Sequence, residues 1–239
     1  MTTVVVLCQP PRPGSVLTDL VATSPLSETE AAQLYAAMTT DIVRAVEHSG
    51  GELLLNYRDV DDEAEAEVRE MVAAETEDPR CEVQVGETFS GIAGNTVTHL
   101  LETEEVVSAA IVEPSAAFLT RQVIDTAAMK LRRSEVVLGP TPSDGVYYAG
   151  FTDPIDFTDA YTAPPLETLT DRGLDSGYDV DFLQQLPVIE TGADLAAALP
   201  LLRARERAGR IVPPHTMEAI REFGVAAVPG EDGLELRRE

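Results

Sequence analysis

Short apolar segments alternate along this chain with longer segments in which apolar residues recur at helical spacing. Val4-Val5-Val6-Leu7-Cys8 is a continuous apolar run, typical of a strand that is covered on both faces. Further on, the capping-box sequence Ser27-Glu28-Thr29-Glu30 precedes Leu34, Met38 and Ile42, which share one helical face. Because a helix between two strands lets those strands run parallel, the alternation predicts a mostly parallel sheet with helices on both sides.

The same pattern continues over most of the chain. We expect strands near residues 53–55, 82–85, 106–112 and 180–186, and helices near 61–72, 92–101, 115–131, 165–172, 194–207 and 216–223. These elements predict one α/β domain, a three-layer αβα arrangement, over residues 1–223. Residues 224–239 are expected to form a C-terminal tail or an edge strand.

One segment breaks the alternation, because two strands follow each other without a helix between them. Val136-Val137-Leu138 stops at Gly139-Pro140, and the aromatic strand Val146-Tyr147-Tyr148 begins after Asp144-Gly145. Turn chemistry explains the glycines and the proline. A lone aspartate at such a strand end is typical of nucleotide-handling α/β proteins, which hold a metal or a ribose there; a plain hairpin turn is the alternative. The sheet is therefore expected to be mixed.

Acidic residues dominate the charge of this chain. It carries 42 Asp and Glu against 17 Lys and Arg, a net charge of -25, and Lys130 is its single lysine. This balance excludes nucleic acid as a routine partner and disfavours anionic lipid, because both attract the opposite sign. We interpret the acids as a solvated shell like that of halophilic proteins, since the screening length is only ~3 Å at 1 M salt.

The cysteines and the hydropathy point to the cytoplasm. Cys8 and Cys81 lie in separate strand-like runs and are expected to be small buried hydrophobes. The chain starts without a basic, apolar leader, and no segment approaches the ~20 apolar residues that a membrane span needs. We therefore expect a cytoplasmic protein without membrane insertion.

Three segments within residues 4–200 resemble a known family. They are Pro11-Arg12-Pro13-Gly14 with Thr18 and Leu20, the helix start 26–35, and Val137-Leu138-Gly139-Pro140 with Asp144-Gly145-Val146-Tyr147-Tyr148. Together they are similar to the small nucleotide-diphospho-sugar transferase-like proteins of the glycosyltransferase A fold, a largely uncharacterised family. The resemblance implies that fold, and a nucleotide-sugar-dependent transferase assisted by Mg²⁺ or Mn²⁺.

The resemblance also implies roles for individual residues. Asp144 would be the catalytic residue and a metal ligand, with Glu113 and Glu190 as further metal ligands. Substrate, a nucleotide-activated sugar or a nucleotide, would contact Arg12, Gly14, Thr18, Gly145 and Tyr147; a tyrosine of this strand would stack on a base.

The chain departs from the family pattern at several of these positions. Leu17 and Asp19 stand where the family has lysine and arginine. Where the family has a metal-binding aspartate after its fourth strand, this chain offers Ser115 or Glu113, depending on the register, and Glu190 replaces a later aspartate. Two other functions therefore stay open: a catalytically silent member that binds or regulates a protein partner or another copy of itself, and a nucleotidyltransferase.

Overall fold

A central sheet of seven strands organises the part of the chain that the computed structural model describes, residues 1–162, 164–230 and 233–239. Its strands, in chain order, are β1 (Thr2–Cys8), β2 (Glu52–Tyr57), β3 (Arg80–Val83), β4 (Ser108–Val112), β5 (Val136–Pro140), β6 (Val146–Phe151) and β7 (Val180–Phe182). In space they follow the order β3-β2-β1-β4-β6-β5-β7. Strand β1 is buried along its whole length, as its continuous apolar run predicts.

Only β6 runs against the other strands of this sheet. β1 pairs in parallel with β2 and with β4, β2 with β3, and β5 with β7, whereas β6 is antiparallel to both β4 and β5. The mixed, mostly parallel sheet expected from the sequence is thus confirmed. Because β4 and β5 point the same way as β1, the loop between β5 and β6 lies at the edge where the parallel strands end.

Helices cover both faces of the sheet, which gives the three-layer architecture. They are α1 (Thr18–Thr23), α2 (Glu28–Glu47), α3 (Ala64–Val72), α4 (Phe89–Thr98), α5 (Arg121–Lys130), α6 (Pro165–Asp175), α7 (Gly192–Arg207) and α8 (Pro214–Phe223), with a π-helical turn at His99–Thr103. Alternate residues of β1 face opposite ways: Val4 and Val6 join the core under α2, while Val5 and Leu7 join the core under α4 and α6. The capping box predicted at Ser27 and Glu30 is present.

Some element boundaries differ from the sequence prediction. The helix expected from about residue 115 begins only at Arg121, because the residues before it form buried turns in which the amides of Ala116 and Leu119 donate to the carbonyls of Glu113 and Ala116. Helix α1 was not predicted. Helix α6 continues past Gly173, and β7 is shorter than the segment 180–186.

A bulge between β5 and β6 changes the direction of one aromatic side chain. Gly139 pairs with Tyr148 and Pro140 with Val146, so Tyr147 has no partner in the ladder. Strict alternation along a strand would place Tyr147 and Tyr148 on opposite faces. Instead both rings are buried in the core on the α2 side, because the extra residue turns Tyr147 toward it.

The segment after Gly224 forms a small sheet of its own and does not become an edge strand of the central sheet. Strands β8 (Val225–Pro229) and β9 (Leu234–Arg238) pair antiparallel and pack on α7. The Arg238 guanidinium joins this hairpin to the start of α2 through Glu30. Cys8 is buried as predicted, Cys81 is half-buried, and both thiols are free. In the described residues no helix is long and apolar enough to cross a membrane.

Candidate functional site

The strand order places a crevice between the ends of β1 and β4. From β1 the chain proceeds outward to β2 and β3 on one side, whereas β4 lies on the other side of β1. Loops at the carboxyl ends of two such neighbouring strands diverge, and in open α/β sheets this is where ligands bind. Gln9 is the first residue after β1, and Glu113 is the first after β4.

Three carboxylates line one part of this crevice. Glu113, Asp144 and Glu190 surround a cavity of about 360 Å³, which we call the acidic cleft. They come from three loops, since Asp144 lies between β5 and β6 and Glu190 precedes α7. The amide of Ile189 donates to the carbonyl of Ser115 over 3.0 Å, which fixes the Glu190 loop beside the Glu113 loop. The structure thus brings together the three predicted metal ligands, which are far apart in sequence.

The loop that carries Asp144 is both a tight turn and a wall of the acidic cleft. The Thr141 amide donates to the Gly145 carbonyl over 2.9 Å and closes the turn. The backbone carbonyl of Asp144 accepts a 3.2 Å hydrogen bond from the amide of Leu166 in α6. The Asp144 residue is exposed and lines the cleft. A Cβ at Gly145 would lie 3.0 Å from Thr141 Oγ1, so a larger residue would disturb this turn.

Glu113 is electrostatically the most perturbed acid of the cleft. Burial, together with the charge of Glu190, raises the pKa of its carboxyl to about 7. Both causes disfavour the ionised form. Glu113 would therefore gain from a cation or a hydrogen-bond donor placed between it and Glu190.

An aromatic pair also lines the acidic cleft. Phe89 at the start of α4 and Tyr161 meet edge to face, with ring centroids 4.7 Å apart, and both line the cavity. The Tyr161 hydroxyl is buried and has no hydrogen-bond partner among the described residues. Burial and the charge of Glu113 raise the pKa of Tyr161, so its hydroxyl keeps its proton and is a donor for a ligand.

A second lobe of the crevice continues from Glu113 and Phe89 toward β2 and β3. This lobe encloses about 280 Å³. The Gln84 side-chain amide donates to the carbonyls of Cys8 and Asn56 over 3.0 and 2.9 Å and so joins the ends of β1 and β2. Arg58, the first residue after β2, also lines the lobe and is exposed. Arg58 was not predicted from the sequence, although its position directly after a predicted strand was a usable signal.

Several residues that the resemblance assigned to substrate lie outside these two lobes. The Arg12 guanidinium is held by Glu67 and by Asp61, with contacts of 2.7 and 2.6 Å, so its donors are engaged within the protein. Gly14, at φ 76°, is in the exposed loop after β1, and Thr18 is exposed at the start of α1. Tyr147 is only 2% exposed, and its hydroxyl donates to the Gln184 carbonyl over 2.9 Å, so it belongs to the core and does not reach the cleft.

Leu17 occupies a position where the resemblance implies a cationic side chain. It has left-handed backbone angles, φ 49° and ψ 41°, immediately before α1, and its side chain packs against the core. Such angles are uncommon outside glycine, asparagine and aspartate. The position that the resemblance gives to a lysine is therefore used here for packing.

The acidic cleft has the oxygen ligands that suit a hard divalent cation, but they form no compact cluster. Among the described residues no three Asp, Glu, His or Cys side chains are close enough to hold a metal ion. Mg²⁺ is commonly bound by one or two carboxylates together with substrate phosphates. Glu113 and Glu190 fit this way of binding a metal as a pair of carboxylate ligands, since the charge of Glu190 raises the pKa of Glu113.

Comparisons with known proteins identify the fold. No family model matches this chain, and no curated protein sequence matches it. Among solved structures, a putative nucleotide-diphospho-sugar transferase from Desulfovibrio desulfuricans G20 superposes with a TM-score of 0.78 at 16% identity, covering 92% of this chain and 94% of that one. The chain thus has the fold of the nucleotide-diphospho-sugar transferases, as the resemblance implied.

Two nucleotidyltransferases share the architecture more distantly. A CMP:2-keto-3-deoxy-manno-octonic acid synthetase in complex with CTP has a TM-score of 0.50 at 10% identity, covering 86% of this chain and 99% of that one. The 4-diphosphocytidyl-2C-methyl-D-erythritol synthase from Anaerococcus prevotii also has a TM-score of 0.50, at 13% identity, covering 84% and 96%. At these identities the likeness concerns the fold alone.

Proposed function

We propose that this protein binds a nucleoside-diphosphate-activated sugar in the crevice beyond β1 and β4 and transfers the glycosyl group. The observation that carries the proposal is the joint placement of Glu113, Glu190, Asp144 and Arg58 along one crevice at the strand-order switch. The fold shared with a putative nucleotide-diphospho-sugar transferase supports it.

In this proposal the two lobes bind different parts of the donor substrate. The lobe beside β2 offers the side-chain carbonyl oxygens of Gln9 and Gln84 as acceptors for a nucleoside, and the Arg58 guanidinium for a phosphate. The acidic cleft offers carboxylates and the Tyr161 hydroxyl for the sugar. A diphosphate between them would lie next to Glu113, which lines both lobes.

A divalent cation completes this site in the proposal. Glu113 and Glu190 would hold Mg²⁺ or Mn²⁺, which when bound neutralises the diphosphate and stabilises the leaving nucleotide. Without that charge, the carboxylates of the cleft would repel a phosphate. In the proposal, Asp144, which lines the same cleft, accepts a hydrogen bond from a ribose or sugar hydroxyl, and Gly145 beside it allows close approach.

The direct test is calorimetric titration with UDP-, GDP-, CDP- and ADP-sugars in the presence and absence of Mn²⁺, at high KCl concentration. We expect one donor to bind with an affinity that depends on Mn²⁺ and that falls in Glu113→Gln and in Asp144→Asn. Glu167→Gln is the matched control, because Glu167 is an exposed acid of the nearby helix α6 that lines neither lobe. Metal-independent binding, or equal affinity in all three variants, would contradict the proposed site.

Nucleotidyl transfer is the second candidate, favoured by the CTP-bound structure that shares the fold. The products separate the two reactions: glycosyl transfer releases a nucleoside diphosphate, whereas nucleotidyl transfer from a nucleoside triphosphate releases pyrophosphate. No metal-dependent nucleotide binding, together with a reproducible protein partner in pull-downs at high salt, would instead indicate the silent, regulatory alternative, which the engaged Arg12 and the packed Leu17 favour.

A further inference from the structure

A second cavity lies on the α2 side of the molecule and shares no lining residue with the two lobes of the crevice. It encloses about 390 Å³, within the range of small-molecule sites. Its walls are formed by the last turns of α2 and α7, by the start of α5 and by the connection between α7 and α8. We call it the α2-side cavity.

One wall of the α2-side cavity is apolar. Ile211 and Val212 from the connection before α8 supply its accessible part, whereas Phe118 and Leu119 from the turns before α5 also line the cavity but are buried in the core. Ile211 is 71% exposed, so its side chain is accessible to a ligand. The wall would favour a ligand with an apolar body.

Three arginines also line the cavity. Arg44, Arg121 and Arg205 line it, from α2, α5 and α7. This is a notable share of the 17 basic residues in a chain with 42 acidic ones. Arg44 forms an ion pair with Glu75, and Arg121 forms one with Asp125. Because a guanidinium has five N–H groups, both arginines keep unused hydrogen-bond donors.

Arg205 differs from these two arginines because it has no ion-pair partner within residues 1–162, 164–230 and 233–239. It is half-buried near the end of α7. A guanidinium in that position, with unused donors beside an apolar wall, suits a carboxylate, which it can bind in a bidentate manner.

The acids on the cavity wall do not cancel this preference. Asp41 is buried and its oxygens accept from the amides of His215 and Thr216 and from the Thr216 hydroxyl. Asp125 accepts from the Gly50 amide and from Arg121. Both carboxylates are therefore already engaged within the protein.

We propose that the α2-side cavity binds a small organic anion, a carboxylate attached to an apolar body. The carboxylate would meet Arg205, and the apolar body would lie on Ile211 and Val212. A bare inorganic anion would leave the apolar wall uncovered, and a neutral apolar molecule would leave the guanidinium without a partner.

Octanoate is the probe for this proposal, and octanamide is its neutral match. Calorimetric titration at high KCl concentration should show saturable one-to-one binding of octanoate, with octanamide weaker by about tenfold or more. Arg205→Gln should weaken octanoate by about tenfold. Arg207→Gln, which removes an exposed arginine on the same helix outside the cavity, should leave the affinity unchanged.

Three results would overturn the proposal: no saturable octanoate binding, equal affinity for octanamide, or equal affinity in Arg205→Gln. Ile211→Ala is a second test of the same site, since it should weaken octanoate binding without altering the preference over octanamide. Competition by a nucleoside diphosphate would place the octanoate in the crevice and would also count against the α2-side cavity.

Discussion

Glu113 and Glu190 face the same cleft from two different loops, and the charge of Glu190 adds to burial in raising the pKa of Glu113 to about 7. The two residues are 77 positions apart in the chain and are joined through the hydrogen bond from the Ile189 amide to the Ser115 carbonyl. A site that concentrates negative charge in this way is unfavourable until a cation or a donor arrives, which makes it a place for ligand binding.

The raised pKa of Glu113 predicts a pH dependence of stability. A carboxyl whose folded-state pKa is raised from 4.5 to about 7 holds its proton more tightly in the folded protein, so stability is lost as the pH rises through that interval. In the presence of a chelator, Glu113→Gln should remove this loss and raise the free energy of unfolding by about 2 kcal/mol at pH 8. Urea unfolding of both proteins at pH 5 and pH 8 measures it. A variant no more stable than the parent at the higher pH would show that Glu113 is not perturbed.

Arg58 and Arg12 should respond differently to substitution. Arg58→Gln should weaken nucleoside diphosphate binding by about tenfold, because it removes a charge-assisted hydrogen bond from the crevice. Arg12→Gln should leave that affinity unchanged, because the Arg12 donors are engaged by Asp61 and Glu67. Titration of the two variants compares them directly, and a larger effect at Arg12 would restore the role that the resemblance gave it.

Tyr147→Phe tests whether that tyrosine contacts substrate. Losing the hydrogen bond to the Gln184 carbonyl should lower the free energy of unfolding by about 1 kcal/mol. Nucleotide-sugar affinity should not change, because the bulge turns the ring into the core. The measurement pairs denaturation with titration, and a loss of affinity at unchanged stability would contradict the position of this side chain.

Asp41 should be important for stability although it lies outside the crevice. From α2 it caps the start of α8, with hydrogen bonds of 3.1 and 2.7 Å from the His215 and Thr216 amides. Asp41→Ala leaves these donors without partners and should lower the free energy of unfolding by roughly 2–3 kcal/mol. Asp19→Ala, at an exposed acid of α1, is the comparison and should change it by less than ~0.5 kcal/mol. Similar losses in both variants would argue against the cap.

The net charge of -25 predicts that salt stabilises the protein. Raising KCl from ~0.1 M to ~2 M shortens the screening length severalfold and should raise the Tm by roughly 5–10 °C at pH 7. The response should be much smaller near the sequence pI of about 4.3, where the net charge is close to zero. A Tm that does not change with KCl at pH 7 would refute the halophilic interpretation.

The architecture was largely predictable because it depends on local periodicity. The apolar run Val4–Cys8, the capping box at Ser27 and Glu30, and the strand pair around Asp144 each appear in the structure where the sequence places them. The start of α5 was not predictable, since its preceding turns are stabilised by burial and use residues that are compatible with a helix.

For the site, the sequence predicted which residue types were available, and the tertiary structure determined which of them lie close together. Its local pattern and charge determined a mixed α/β sheet, an acidic shell, and an aspartate at a strand end. Only the folded chain decided that Glu113, Asp144 and Glu190 share one cleft with Arg58 beside it, that Arg12 is engaged elsewhere, and that a single bulged residue sends Tyr147 into the core. The reason is physical: backbone period and capping act within a few residues, whereas charge–charge distances and burial depend on contacts between segments far apart in the chain.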